Sequence, residues 1–295
     1  MKTKKKIVLV AGQKSHGPED NGIHDYSGAV KLLKVMLDNS NVAGQVEVHY
    51  CLDGWPADQS ILEDADSIVI ISDGRDGHIG VEALHLETAE RMAFVDRQMK
   101  RGCGIAVIHF AVFAPHDAEK YVFDWYGGYY DWGTDQERKW YSAIKTLEAD
   151  VQLASPGHPT LRGVKPFRMQ EEFYYNLRFD PSSKTLKPLW VVPALEGREP
   201  DGNVVAWAQE REDGGRGFGT SCHHFHENFR LDDYRTLFLN AIAWTAGVDV
   251  PKDGVKASFY DRDAVSVALA GITDGARAVA RIKEAHKNQP VGPPK

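Results

Sequence analysis

Cysteine is scarce: Cys51, Cys103 and Cys222 are the only thiols in 295 residues. Their spacing matches no zinc motif, and an odd, sparse set makes a poor disulfide framework. Cys51 and Cys103 adjoin apolar runs and read as plain buried thiols. Long hydrophobic runs are missing too. Nothing approaches the roughly 18–20 apolar residues that span a bilayer, which argues against a membrane protein. The first apolar segment, residues 7–11, is shorter than a signal-peptide core of about 7–15 residues. The chain therefore reads as cytoplasmic, unless a leader was removed from it. Positive charge is in deficit, with 35 Lys and Arg against 42 Asp and Glu. Phosphate neutralisation needs a basic face, so nucleic acid is not an expected partner. The one basic run, residues 2–6, leads straight into an apolar strand and reads as a solvated terminus. No Gly-x-Gly-x-x-Gly follows that strand, so no nucleotide cofactor is expected.

The apolar runs that are present are short and regularly spaced. Residues 7–11, 67–72 and 104–109 are near-continuous runs of the kind buried on both faces of a parallel sheet. Residues 46–50 alternate and read as a further strand. Between them lie a helix opened by Ser27 and running to about Leu37, and a second over residues 82–100. Strand–helix alternation of this length predicts an α/β fold with right-handed crossovers. Short strands near 151–153, 170–178, 189–192, 204–209 and 217–221 follow, then a helix from Asp232 or Asp233 to Ala246. Residues 1–250 read as one domain and 251–295 as a C-terminal extension, helical in composition over 264–270 and 275–287. That tail is expected to pack on the domain or on a neighbouring subunit of a homo-oligomer.

Residues 111–150 break the rhythm with Trp125, Tyr126, Tyr129, Tyr130, Trp132, Trp140 and Tyr141. Such an aromatic insertion serves either as packing or as a stacking wall for a sugar. Trp132 is taken as the wall residue.

The densest chemistry lies at His223, His224, His226 and Glu227, just after a strand. Imidazoles shuttle protons near neutral pH and bind metals. His16 follows the first strand and His109 ends the fourth. In open parallel sheets, ligands sit outside the carboxyl ends of the strands, so His16, His109 and His224 are expected to converge there. Asp73 and Arg75 follow the third strand and would face the same edge. His24 and Asp25, in the first loop, would either cap the first helix or face the site. His78 and His85 read as solvent-facing, and His158 as a turn residue.

Several segments together resemble the ThuA-like (trehalose-utilisation) family. They are Ala-Gly-Gln-Lys-Ser-His-Gly-Pro at 11–18, Ala-Val-Ile-His-Phe-Ala at 106–111 and Glu-Glu-Phe-Tyr-Tyr at 171–175. Gly-Thr-Ser-Cys-His-His at 219–224 and Leu-Asn-Ala-Ile-Ala-Trp-Thr-Ala-Gly at 239–247 also fit. The resemblance covers about residues 5–250. It implies a flavodoxin-like, mainly parallel sheet with helices on both faces, related to class I glutamine amidotransferases, and a link to sugar catabolism. In the amidotransferases a cysteine occupies the turn after the fourth strand. Here that position is His109, so glutamine hydrolysis through a thioester is not expected. His224 and Glu227 resemble the other two triad members in position.

Two roles remain open for these residues. In one, His16, His109, His224 and His226 bind a divalent metal, zinc, manganese or iron, with Glu172 or Glu227 as ligand or base. In the other, the histidines and Glu172 perform acid–base work on a sugar without a metal. Tyr174, Asp73, Arg75 and Trp132 would hold the substrate. The expected reaction is a lyase, isomerase or hydrolase step on a keto-sugar or related glycoside. The competing expectation is a non-catalytic sugar-binding or regulatory domain.

Overall fold

The structure is a computed structural model that describes residues 3–14, 17–18, 21–74, 83–131, 142–197 and 201–270. One sheet of nine strands organises it. The strands are β1 (Lys5–Ala11), β2 (Val46–Cys51), β3 (Ser67–Ile71), β4 (Gly104–Ile108), β7 (Ala143–Leu153), β8 (Phe167–Tyr175), β10 (Lys187–Val191), β11 (Val204–Glu210) and β12 (Arg216–Thr220). Their order is β2-β1-β3-β4-β12-β11-β10-β7-β8. The first five run parallel and in the flavodoxin-like order. The remaining four pair antiparallel. A small second sheet joins β5 (Phe113–Ala114), β6 (Gly128–Asp131) and β9 (Arg178–Phe179).

The parallel strands are buried on both faces, as their continuous apolar runs require. Side chains alternate across a strand. Ile7, Leu9, Ala106 and Ile108 enter one core with helices α1 (Tyr26–Asp38) and α4 (Asp232–Thr245). Val8, Val10, Ile105 and Val107 enter the opposite core with α2 (Ala89–Lys100) and α3 (Glu119–Trp125). Helices thus cover both faces, as expected.

Some local expectations are corrected. Asp25, not Ser27, caps α1, accepting the Gly28 N–H at 2.9 Å. The helix expected over 82–100 begins only at Ala89, where Thr88 accepts from the Arg91 N–H at 3.1 Å. Among the aromatics of the insertion, Trp125, Tyr126, Tyr129 and Tyr130 are buried and pack as core. Trp132, Trp140 and Tyr141 lie outside the described residues.

The described part of the C-terminal extension adds to the α1/α4 core through Val255, Phe259, Tyr260 and helix α5 (Arg262–Ala270). The residues expected to be helical over 275–287 lie outside the described ones. Asn240 ties this segment down. Its Nδ2 donates to the carbonyls of Thr160 and Arg162 at 2.8 and 2.9 Å, and its Oδ1 accepts the Val255 N–H at 2.6 Å. Asn240→Ala leaves three buried backbone groups unpaired, at about 1–3 kcal/mol for each group that water cannot reach. Urea unfolding should show a lower midpoint by that order. An unchanged midpoint would mean the segment is held elsewhere.

His85, expected at the surface, is fully buried beneath Trp125 and Tyr126, with Nε2 3.1 Å from the Tyr126 hydroxyl. Burial, helped by the nearby Arg91 charge, lowers its pKa to about 3. The unfolded ring binds a proton near pH 6.5 and the folded ring does not. The unfolded state therefore gains protons first, and stability falls as pH drops below about 6.5. His85→Gln should flatten the decline in stability between pH 6.5 and pH 5.5 by up to about 1.4 kcal/mol per unit. An unaltered slope would show that His85 is not held neutral.

Candidate functional site

The carboxyl ends of β1, β3, β4 and β12 meet the tip of β8, and a cluster of side chains forms there. Strand β4 ends at Ile108, and the chain turns into a short 3-10 helix at His109 with φ +56°. A non-glycine residue in that region marks a strained turn of the sort found at functional sites. The turn is fully buried, and its ring points across to β12. His109 Nδ1 lies 2.7 Å from the Ser221 carbonyl. A carbonyl only accepts, so Nδ1 carries the proton and Nε2 keeps its lone pair. Burial, with His24 and His224 nearby, holds His109 well below the usual imidazole pKa, so the ring is neutral.

His24 arrives from the loop between β1 and α1. Residues 22–24 and 224–226 form a short antiparallel bridge centred on Ile23 and Phe225. The His24 N–H donates to the His224 carbonyl at 3.2 Å, and the His226 N–H donates to the Gly22 carbonyl at 2.9 Å. His24 and His224 are therefore cross-strand neighbours on one face. The Tyr26 hydroxyl donates its one proton to Asp73. It must then accept from His24 Nδ1, 2.9 Å away. His24 Nε2 is thereby left, like His109 Nε2, as a lone pair aimed inward. Asp73 is brought close because Gly74 runs against the His109 turn. A Cβ at Gly74 would stand 2.1 Å from the Phe110 carbonyl oxygen.

The inward atoms converge. His24 Nε2 lies 2.9 Å from His224 Nδ1 and 3.4 Å from His109 Nε2. Glu172 Oε2 is 3.2 Å from His224 Nδ1 and 3.9 Å from His109 Nε2. All four donor atoms lie within 4.8 Å of one another. The Tyr174 hydroxyl reaches His109 Nε2 at 2.9 Å, and its ring stacks on the imidazole at 4.6 Å between centroids. Burial pushes the Tyr174 hydroxyl well above its ordinary pKa, and Glu172 adds to the rise. Burial would also raise Glu172, but the hydrogen bond and charge of His224 outweigh it and hold the carboxyl below its usual value. His24 and His109 are buried, while Glu172 and His224 are partly exposed and form the accessible side.

The structure thus brings together His109, His224, Glu172, Tyr174 and Asp73. His16 and Arg75 lie outside the described residues. His226 and Glu227, expected at the site, stand apart. The bridge turns the chain so that His226 packs against Phe229, while Glu227 faces solvent and pairs with Arg230. His223 is likewise a core ring, against Phe229 and Phe238.

The sequence left His24 open between capping the first helix and facing the site, and the bridge to 224–226 puts it at the site. Glu171 was read merely as part of a motif. It is fully buried, and burial raises its carboxyl to about 7. The backbone N–H groups of His223 and Glu172 and the Asn228 side chain oppose that rise.

The cysteines are unsuited to nucleophilic attack. Cys222 is fully buried, and burial pushes its thiol well up. Burial takes Cys103 up to about 12.

A smaller crevice adjoins the cluster. It holds about 390 Å³ and is lined by Gln13, Asp53, Trp55, Glu87, Arg91 and Asp73 among others. It opens where β1 and β3 part, the switch point at which ligands bind in such sheets.

Among the described residues, no helix is long and apolar enough to cross a membrane. No functionally curated protein matches the chain in sequence. Solved structures do share the fold. A ThuA-like protein from Parabacteroides merdae ATCC 43184 superposes with a TM-score of 0.56 at 16% identity, over 88% of this chain and 98% of its own. One from Bacteroides uniformis ATCC 8492 gives 0.53 at 13%, over 82% and 91%. A cytoplasmic protein from Salmonella typhimurium LT2 gives 0.52 at 13%, over 81% and 99%. The family model described as "ThuA: Trehalose utilisation" matches residues 8–245, most of the chain and every residue of the cluster, so the protein belongs to the ThuA family.

Proposed function

We propose that this protein is an enzyme of carbohydrate catabolism. It acts on a keto-sugar or related glycoside at a divalent metal held by His24, His109, His224 and Glu172. One observation carries the proposal. Two imidazoles, each locked into the Nδ1–H tautomer by a neighbour, present Nε2 lone pairs to each other at 3.4 Å. Each lone pair has a proton donor in reach, Tyr174 at His109 and His224 at His24, and a cation among them would be bound by the same lone pairs. Histidines that donate the far N–H to a fixed acceptor are also the usual form of metal ligand. Donors bound tetrahedrally to zinc at about 2.0–2.1 Å stand roughly 3.3 Å apart. The separations of 2.9, 3.4, 3.2 and 3.9 Å scatter around that value. Zinc can expand to a fifth position for substrate, and manganese or iron also suits a mixed imidazole and carboxylate set.

The chemistry follows from the accessible side. A sugar carrying a ketone has an acidified proton on the neighbouring carbon. Glu172, held ionised, removes that proton. The electron pair moves to the carbonyl oxygen; a metal held by the cluster would supply Lewis-acid stabilisation of the charge that develops there. Collapse of the enolate expels an alkoxide from the next carbon, which takes up the proton that Glu172 removed. A proton delivered instead to the former carbonyl carbon, with loss of the hydroxyl proton from the neighbouring carbon, moves the carbonyl along the sugar and gives isomerisation. Family membership in trehalose utilisation supports the sugar. Asp73 and Tyr174 border the site and would contact it.

The test uses purified protein, 3-keto-glucosides and their unoxidised parents, with and without chelator. Metal analysis should give about one divalent ion per chain, in line with a four-donor set. His109→Ala and His224→Ala should each lower turnover roughly 10²–10⁴-fold, the usual worth of an acid–base group. Binding of the sugars with no turnover under any metal would replace the enzyme with a sugar-binding domain. Turnover untouched by both substitutions would remove this centre.

A further inference from the structure

We infer that Glu171 is the positioning residue of the cluster: its buried carboxylate clamps the His223–His224 turn and so sets where His224 and Glu172 stand. The inference rests on the reading of the cluster as the reactive centre. Neighbouring residues on a strand point to opposite faces. On β8, Glu172 faces the cluster and Glu171 passes beneath the turn that follows β12. There it collects four donors. Glu171 Oε2 accepts the His223 N–H at 2.9 Å and Asn228 Nδ2 at 3.0 Å. Oε1 accepts the His224 N–H at 3.0 Å and the Glu172 N–H at 2.9 Å.

A carboxylate has about four lone-pair sites, and all four are used. A glutamine in its place would turn two of those acceptors into donors facing other donors. The turn needs such a clamp. His223 adopts φ +111°, which side-chain-bearing residues rarely do. Successive N–H groups in a turn of this kind form an anion-binding concavity, and the Glu171 carboxylate fills it. Because Oε1 also holds the Glu172 backbone, one side chain fixes two of the four donors of the cluster relative to each other. A buried carboxylate needed only for packing would not require contact with both.

The experiment compares wild type with Glu171→Gln and Asn228→Ala. The readouts are zinc and cobalt titration, kcat and KM, urea stability, and amide hydrogen exchange at His223 and His224. Exchange reports the clamp whether or not a metal binds, so failure of the metal reading would leave this test intact. Glu171→Gln should speed exchange at both amides, weaken metal binding roughly 10–100-fold, the usual cost of losing an outer-shell partner, and lower kcat more than it raises KM. Asn228→Ala removes one donor to the same carboxylate without touching the cluster. It should speed exchange at His223 by a smaller factor with the fold intact, and it stands as the test should Glu171→Gln not fold. Unchanged exchange at His223 and His224 in a folded Glu171→Gln would overturn the inference. So would wild-type exchange at His223 in Asn228→Ala.

Discussion

The hydrogen bond from His109 Nδ1 to the Ser221 carbonyl is the contact on which the site depends. It spans the ends of two adjacent parallel strands, β4 and β12, whose register pairs Ile108 with Thr220. It fixes the imidazole tautomer, and so decides that His109 offers a lone pair rather than a proton. It also anchors a residue held at φ +56°. Positive φ recurs at His24 and His223. Strain of this kind costs on the order of 1–3 kcal/mol at each residue. It persists because the flanking strands leave the backbone no alternative path.

The parallel half of the fold was legible because its strands are buried on both faces. Ile7 to Ala11 and Ile68 to Ile71 are unbroken apolar runs of the kind that a sheet covered on both faces accommodates. The antiparallel half was legible only as a set of strands. Their order depends on which edges pair, and short runs such as Lys187–Val191 carry no such information. His85 shows another limit. A histidine on an apparently polar segment is buried there because Trp125 and Tyr126 fold down over it, a contact some forty residues distant in the chain.

The same division holds at the site. His109 and His224 were legible because they follow strands whose carboxyl ends must meet. Glu172 and Tyr174 came with a strand that reaches the same edge. His24 was left between a helix cap and the site because its position derives from a bridge to residues two hundred positions away. His226 and Glu227 were drawn in by proximity to His224 in sequence. A bridge reverses side-chain direction at each step, but residues two apart share a face only while the strand continues. Here it ends at once in a 3-10 turn, which carries His226 into the core. Glu172 was named from the sequence; its neighbour Glu171, on the other face of β8, takes its place under the His223–His224 turn only through contacts some fifty residues distant.

The residue at the β4 turn also explains why the chemistry cannot be that of a thiol at the same place. A nucleophile must expose its reacting atom to the substrate and leave a partner free to take its proton. His109 does neither: its ring is fully buried, one nitrogen is committed to Ser221, and the other is enclosed by His24, Tyr174 and Glu172. What an enclosed lone pair can do is share a cation or a proton with its neighbours. Glu172 and His224 are the two members that solvent reaches, and the proposed proton transfer is assigned to that side for this reason. On the proposed reading, histidine at this turn replaces attack by the turn residue itself with proton transfer beside a centre that the turn residue helps to hold. Glu171 completes that arrangement from below, since the two exposed members are also the two whose backbones it grips.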